Sequence, residues 1–438
     1  MQSNKKNWGV VGGGVLGMKV AMQLAKEGYK VTLYESAPAI GGLASAWQID
    51  EVVWDKFYHV ILLSDSYTRD LIKEIGLEDK ARWVETKTGF YTGGKLYSMS
   101  NSFEFLKFPP LSIIDKLRLG FTIFYASKIR DWKKLEKVYV ADWLKKLSGK
   151  NTFKKMWLPL LRSKLGEHYT DTSAAFIWAT IQRMYAARNS GLKKEMFGYI
   201  DGGYATILQA FEKRLIDLGV EIKTGARLQK LKSGQNSVDA AFDGGFQASH
   251  DRVILTIPSA FVPGSVDQMP ETEQVKHKGI RYLGVVCTSV LMDKPISPYY
   301  VTNITDEGAP FTGVIEMTAL VDKDQLGGRH LVYLPKYVAP NDPIFDEADE
   351  VIEKRFLDAI FQMYPHISKE HIVAVKTARA KNVFALSTIG YSEHLPPKKS
   401  AVPGVYVVNS AHITNGTLNV NESLKLAGDA VNEILNTN

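Results

Sequence analysis

The chain has a single cysteine, Cys287, among 438 residues. This excludes an intramolecular disulfide, a cysteine-cluster zinc site and a CxxC redox pair, and it fits a reducing, cytoplasmic compartment. Long uncharged apolar runs are also missing. The most apolar later stretch, Leu111 to Ile129, is broken by Asp115, Lys116, Arg118 and Lys128, so no transmembrane helix is predicted. Charge of one sign is not concentrated. Lysine and arginine outnumber the acids 54 to 47, a weak bias that excludes the dense basic stripe of a nucleic-acid binder but leaves anionic ligands and an anionic lipid surface open. There is no internal repeat and no low-complexity tract. What is present is ordinary for a folded globular chain, with 45% hydrophobic and 23% charged residues. At about 150 residues per domain, the length implies two or three domains or one large domain with an inserted lobe.

The first residues, MQSNKKNW followed by GVVGGGVLGMKVAMQLA, imitate a secretory signal, but the glycine spacing has a better explanation. Trp8 to Val11 reads as a strand, and Met18 to Lys26 has helical spacing and is closed by Gly28. Lys30 to Tyr34 is β-rich, completing half of a βαβ unit. From about Leu62 to Leu147 helical periodicity dominates, except for a hairpin in TGFYTGGKLYSM turned at Gly93 and Gly94. Lys154 to Arg188 reads as helical, GYIDGG breaks it, and Tyr204 to Leu218 is another amphipathic helix. VEIKT, ARLQKL, SVDAAF and RVILTIP read as a meander ending in a buried strand. Residues 280 to 385 alternate strands with one long helix, Asp346 to Met363. VPGVYVV is an apolar strand, and Glu422 to Leu435 is the last helix, with Asn421 as its N-cap.

Gly12 to Gly17, GGGVLG, satisfies G-x-G-x-x-G between a strand and a helix, and the next strand ends in Glu35. Gly12 permits the tight turn, Gly14 admits a pyrophosphate to the backbone, and Gly17 lets helix and strand pack closely. Val15 and Leu16 then present the free N–H groups of the helix start to the phosphates. Glu35, followed by Ser36, accepts hydrogen bonds from a ribose hydroxyl, which argues against a 2′-phosphate and so against NADP. NAD and FAD both use this element. The glycine pair Gly41 and Gly42, with Leu43 and Ala44 behind it, resembles the flavoprotein continuation.

With these residues, VVGGGVLGMKVAMQLAKEGYKVTLYESAPAIGGLAS resembles the FAD-dependent superfamily of amine oxidases, protoporphyrinogen oxidases and phytoene desaturases. MWLPLLRSKLG, SAAFIWATIQRM and FGYIDGGYATILQAF look most similar to bacterial protoporphyrinogen-oxidase-like enzymes. The resemblance implies an α/β fold of GR2 type, with a Rossmann-like, mostly parallel FAD lobe plus a β-meander and an inserted α+β substrate lobe. The FAD lobe would comprise residues 1–65, 198–260 and 395–438, and the substrate lobe 66–197 and 261–394. FAD would be held non-covalently. The resemblance further places Leu228, in GARLQKL, where the backbone reads the adenine, although ordinary strand core also accounts for that side chain. It places Asn409 and Ser410 where the family has Gly and Asp, so a neutral Ser410 must contact the ribityl chain or the contact is lost. The N-terminus of the last helix would stabilise negative charge on the flavin.

WDKFYHVI falls where the superfamily chain passes the flavin ring, making Asp55, Tyr58 and His59 near-flavin candidates, with His59 as proton acceptor. A satisfied core histidine is the competing reading. Arg188, in YAARNSG, is a candidate to hold an anionic substrate group, against a solvated surface position. No metal site is expected. The aromatic pair and tryptophan motif of flavin amine oxidases are not evident, so an amine substrate is disfavoured. Only one dinucleotide fingerprint exists, so reoxidation would use oxygen, a quinone or another diffusible acceptor. The stretch FEFLKFPPLSIIDKLRLGFTIFYASKIRDWKK is either a peripheral membrane contact or substrate-channel mouth, or a core helix with a basic rim. The leading expectation is an FAD-dependent oxidoreductase taking a hydride from a lipophilic, polycyclic or anionic small molecule. The alternative is a non-redox flavoenzyme similar to UDP-galactopyranose mutase, to which KFYHVI is loosely similar. A prenyl-carrying binding protein similar to Rab GDP-dissociation inhibitors is a third class, opposed by the intact glycines and Glu35.

Overall fold

The computed structural model describes residues 6–188 and 196–436, without the side chains of 186–188. Five short strands form a parallel sheet in the order Glu221–Lys223, Lys30–Tyr34, Asn7–Val11, Arg252–Leu255, Val405–Val407. They come from three separated parts of the chain. Most of their residues are apolar, as expected of a sheet covered on both faces. Asn7–Val11 lies between its neighbour in sequence and a strand from far along the chain. The strand order reverses there, which opens a crevice at the carboxyl ends of the strands.

One face of this sheet is covered by the helices Val15–Lys26, Gly203–Asp217 and Val420–Asn436, whose Met18, Met22, Phe211, Leu424 and Val431 pack with Trp8, Val10 and Leu33. Each such side chain contributes about 1.5–3 kcal/mol on full burial. The other face is covered by an antiparallel meander, Leu228–Ser233, Val238–Phe242 and Gln247–His250, in which Leu231, Val238 and Phe242 pack with Val11, Tyr34 and Val253. The expected four-stranded meander is therefore corrected. Its first and last members belong to the parallel sheet, and Gln247–His250 completes the meander instead. That strand carries no apolar alternation in its sequence, because QASH buries only His250.

The remaining chain builds a second sheet of seven strands. Its second strand, Tyr282–Met292, is buried along its whole length and pairs antiparallel with both His330–Val338 and the edge strand Ile372–Ala385. Cys287 lies within it, where burial pushes the thiol up and keeps it protonated. The hairpin Thr88–Thr92 and Lys95–Ser98 sits at the far edge of this sheet. Its turn is the expected Gly93–Gly94, both with positive φ, and the Asp306 carboxylate accepts from both N–H groups at 2.6 and 2.8 Å. The helix Asp349–Met363 covers one face through Ile352, Phe356 and Ile360. A helical layer, Ile113–Lys128, Val140–Thr152, Leu158–Leu165 and Ala174–Arg188, forms a further core around Trp143, Leu144, Phe153 and Leu161. A single π-helical turn, Phe153–Trp157, leads into Leu158–Leu165. Together these elements wall a cavity of about 1450 Å³ that begins at the glycine turn of the first sheet.

Candidate functional site

At its glycine end the cavity is built from backbone. Gly12 has φ +111°, and the Thr256 hydroxyl donates to the carbonyls of Val11 and Gly12, both at 3.0 Å, locking the turn. A Cβ on Gly17 would lie 1.9 Å from the Gly12 carbonyl oxygen, so only glycine lets the helix Val15–Lys26 start so close to the strand. Gly14 differs. A Cβ there would meet nothing nearer than Gly42 Cα at 4.0 Å, so this glycine faces open cavity. Behind Gly14 the helix starts with no side-chain cap and no acid in its first turn, leaving its N–H groups and positive end free for an anion.

Glu35 is held in place before any ligand arrives. One carboxylate oxygen accepts from Gly13 N–H at 2.6 Å, and the other accepts from Ala37 N–H at 2.8 Å and the Ser36 hydroxyl at 3.1 Å. Gly41 N–H donates to the Gly13 carbonyl at 2.8 Å, which lays Gly41, Gly42, Leu43 and Ala44 across the turn. Leu228 opens its strand on the same wall beside Ala226, whose N–H donates to the Glu35 carbonyl. These features fit a dinucleotide, with an uncapped helix for the pyrophosphate and a fixed carboxylate for a ribose. The cavity exceeds the ~300–1,000 Å³ usual for one small ligand.

Ser410 also reaches the cavity, while Asn409 does not; it is buried, donating to the Ile257 carbonyl at 2.9 Å and accepting from Ala411 N–H at 3.1 Å. The last helix begins at Val420, so Asn421 lies inside it and is not its cap. The Asn419 side chain caps it instead, accepting from Glu422 N–H at 3.0 Å. A cap bonds the N–H two or three residues on, and Asn419 alone has that spacing. Asn421 is turned away from the cavity and accepts from Thr68 N–H at 3.2 Å, joining the last helix to Ser66–Glu74.

The other end of the cavity is built from side chains. Tyr58 and His59 both line it. The Tyr58 and Tyr337 hydroxyls are 2.9 Å apart, and burial pushes Tyr58 up to about 12. His59 Nδ1 is buried without a hydrogen bond, 3.6 Å from Asp55 Oδ2. Asp55 lies behind the wall rather than on it, where its carboxylate accepts from Tyr204 N–H at 2.9 Å and its carbonyl from Tyr333 at 2.6 Å. Trp157, Leu161, Phe176, Ile181 and Phe384 supply apolar walls. Arg183 lines the cavity paired to Asp65, with Nη2 to Oδ2 at 2.9 Å. Lys164 faces in with Nζ 3.5 Å from the centre of the Tyr337 ring, and desolvation alone pushes it down to about 7.

The structure therefore gathers Gly12, Gly14, Val15, Leu16, Gly17, Glu35, Ser36, Gly41, Gly42, Leu43, Ala44, Tyr58, His59, Leu228 and Ser410 around one cavity. Asn421 stays outside it. Arg188 ends the helix Ala174–Arg188, and its side chain falls outside the described residues. Sequence reasoning passed over Lys164, Arg183 and Tyr337. Lys164 lies three and four residues after Leu161 and Leu160, on an apolar helix face, but no local signal names the ring it meets.

One cavity with a glycine cradle and a fixed carboxylate at one end and an apolar chamber at the other defines a class: dinucleotide-dependent oxidoreductases. The profile described as Flavin containing amine oxidoreductase matches residues 17–435. The chain belongs to that family, and its cofactor is FAD. The chain is 22% identical over 411 residues to the zeta-carotene desaturase of Synechocystis sp., covering 81% of this chain and 82% of the relative. It is 25% identical over 207 residues to a provisionally named zeta-carotene desaturase of Synechococcus elongatus, a match spanning 42% of this chain and 43% of that relative. A provisionally named protoporphyrinogen oxidase of Exiguobacterium sp. shares the fold with TM-score 0.78 and 17% identity over all of both chains. Reduced UDP-galactopyranose mutase does so with TM-score 0.75 and 14% identity over 99% of this chain and 96% of its own.

Proposed function

We propose that this chain removes a hydride from a lipophilic small molecule held in the apolar chamber and passes it to FAD. The observation that carries this reading is the continuity of one cavity from the glycine cradle, past Tyr58 and His59, to Trp157, Phe176 and Phe384. Bound FAD supplies the two-electron acceptor. The helix start at Val15 and Leu16 would hold its pyrophosphate, Glu35 a ribose, the backbone at Leu228 the adenine, and Ser410 the ribityl chain. The FAD lobe takes in residues 1–65, 198–260 and 395–438, and the substrate lobe 66–197 and 261–394. Tyr58 and the apolar walls orient the substrate and keep water away. A proton on His59 Nδ1, facing Asp55, leaves Nε2 to accept a proton from the substrate. Electrons then leave to a diffusible acceptor.

Entry from a lipid surface is the second part of the proposal. The helix Ile113–Lys128 exposes Ile113, Leu117, Phe121 and Phe124 along one face, with Ile113 74% and Leu117 66% exposed, and Phe103 and Leu106 extend the patch. Lys107 and Lys128 lie over Phe103 and Phe124 at its rim. Ile123, on the same helix, lines the cavity. An apolar face rimmed by lysines suits an anionic membrane surface. No helix among the described residues is long and apolar enough to cross a membrane, so the contact proposed is peripheral.

The likeness to UDP-galactopyranose mutase keeps a nucleotide-sugar reading in view. Its diphosphate would need several free cations, whereas Arg183 is committed to Asp65 and the chamber is mostly apolar. Anaerobic bleaching of the flavin by a panel of polyenes, alcohols, apolar acids, amines and nucleotide sugars tests the proposal. Bleaching by an apolar compound, with turnover that consumes an acceptor, supports it. Turnover of a nucleotide sugar by reduced enzyme without net reoxidation overturns it.

A further inference from the structure

Lys164 is an unusual residue to find in such a chamber. Lys164 is partly exposed to the cavity and otherwise enclosed by protein, and an ammonium stripped of part of its hydration without a counter-charge or acceptors is costly. Among the described residues no carboxylate and no carbonyl meets Nζ; what it meets are ring faces, Tyr337 at 3.5 Å and Phe384 at 5.3 Å. A cation over an aromatic face recovers part of that cost. The other charged and titratable groups around the chamber are committed elsewhere. Arg183 is held by Asp65, His59 stands beside Asp55, and Arg162, on the same helix as Lys164, pairs outside with Glu167 at 3.1 Å. The Tyr58 and Tyr337 hydroxyls bond to each other, and burial holds both phenols protonated at neutral pH. The chamber thus contains a cation without a fixed anion, linked through Tyr337 and Tyr58 to the segment bearing His59.

We propose that Lys164 is the docking point for a carboxylate on the substrate, so that the substrate is an apolar molecule with a single acidic head. This rests on reading the chamber as the substrate site and names the class of molecule it takes. A carboxylate supplies the missing counter-charge, while the body of the molecule lies among Trp157, Phe176 and Phe384. A phosphate would require more donors than one ammonium provides. An uncharged hydrocarbon would leave the lysine unpaired. Desolvation leaves Lys164 near the neutral point, at about 7, so an arriving carboxylate draws a proton onto it and binding weakens as pH rises.

The test is calorimetric titration of the FAD-loaded protein with decanoate, decanol and decylammonium at about pH 6.5 and pH 9. Decanoate is expected to bind at least about tenfold more tightly than decanol at the lower pH, the usual worth of a charged hydrogen bond. Decylammonium is expected to be weakest, and the preference for decanoate to shrink at the higher pH. Lys164→Met should equalise decanoate and decanol, and Lys164→Arg should restore the preference. If Lys164→Met does not fold, the arginine variant and the wild-type pH dependence carry the test. Equal affinity for decanoate and decanol in the wild type overturns the proposal, as does a preference surviving in Lys164→Met or no binding of either. Protein purified without FAD and unable to take it up would instead refute the reading of the site on which this rests.

Discussion

The two ends of the cavity are built on different principles. The cradle around Gly12 to Gly17 uses backbone groups: a helix start without a cap, a glycine facing open space, and one carboxylate fixed by Gly13 and Ala37 N–H groups. The chamber around Tyr58, Lys164 and Tyr337 uses side chains delivered by a loop, a helix and a strand far apart in sequence. Backbone recognition is specified within one short stretch and serves a constant ligand. Side-chain recognition is assembled by the whole fold, and it can change its ligand while the fold is kept. That difference lets one fold be shared by proteins named as unlike as a protoporphyrinogen oxidase and UDP-galactopyranose mutase.

The comparison breaks most visibly at Gly14. A valine there meets no protein atom at its Cβ but fills the space the pyrophosphate needs, so Gly14→Val should cost more than about a hundredfold in FAD affinity while the apoprotein melts near the wild-type temperature. Gly17→Val should lose both FAD and thermal stability, because its Cβ falls on the Gly12 carbonyl. Equal melting losses in the two variants would erase the distinction between a ligand-facing and a packing glycine. In the chamber, His59→Ala should keep FAD but slow anaerobic flavin reduction by about a hundredfold, read by stopped-flow absorbance with whichever compound bleaches the flavin. An unchanged rate would reduce His59 to a wall residue.

A smaller effect is expected at the surface. Leu117→Asp with Phe121→Asp should lower co-sedimentation with anionic vesicles by about tenfold or more without altering FAD content. Retained binding would send the membrane contact elsewhere. The smallest effect concerns Lys164. Its folded value of about 7 lies below that of an exposed lysine, so between those values the unfolded chain holds more protons and stability rises with pH. The destabilisation is therefore complete below about pH 7 and gone above the unfolded value. Lys164→Met should raise the melting temperature by about 2–4 °C near pH 6, and the gain should vanish by about pH 11. A gain independent of pH would mean packing, not charge, decides it.

The same division explains what could be read in advance. Lys30–Tyr34 and the Gly93–Gly94 turn emerged as expected, because a βαβ start and a diglycine hairpin are local signals. Glu35 and the two glycine clusters, local in sequence, line one cavity. The start of the last helix was misplaced by two residues since Asn419 and Asn421 are equal as caps until the backbone shows where helical dihedrals begin. Gln247–His250 was overlooked because it buries a histidine rather than an alternating apolar face. Lys164 was passed over for a different reason. Its segment reads as a helix, and nothing near it announces that Tyr337, on a strand of the other sheet, will lie against it.

The central claim is that the glycine cradle holds FAD through a contact only Gly14 permits, independently of the chamber. The most direct measurement is the flavin content of purified wild-type and Gly14→Val protein, by absorbance and by identifying the nucleotide released on heating. The account predicts one FAD per wild-type chain and almost none in a variant that is otherwise folded. Wild-type protein without flavin and unable to bind added FAD, or a Gly14→Val protein that retains it fully, would contradict it.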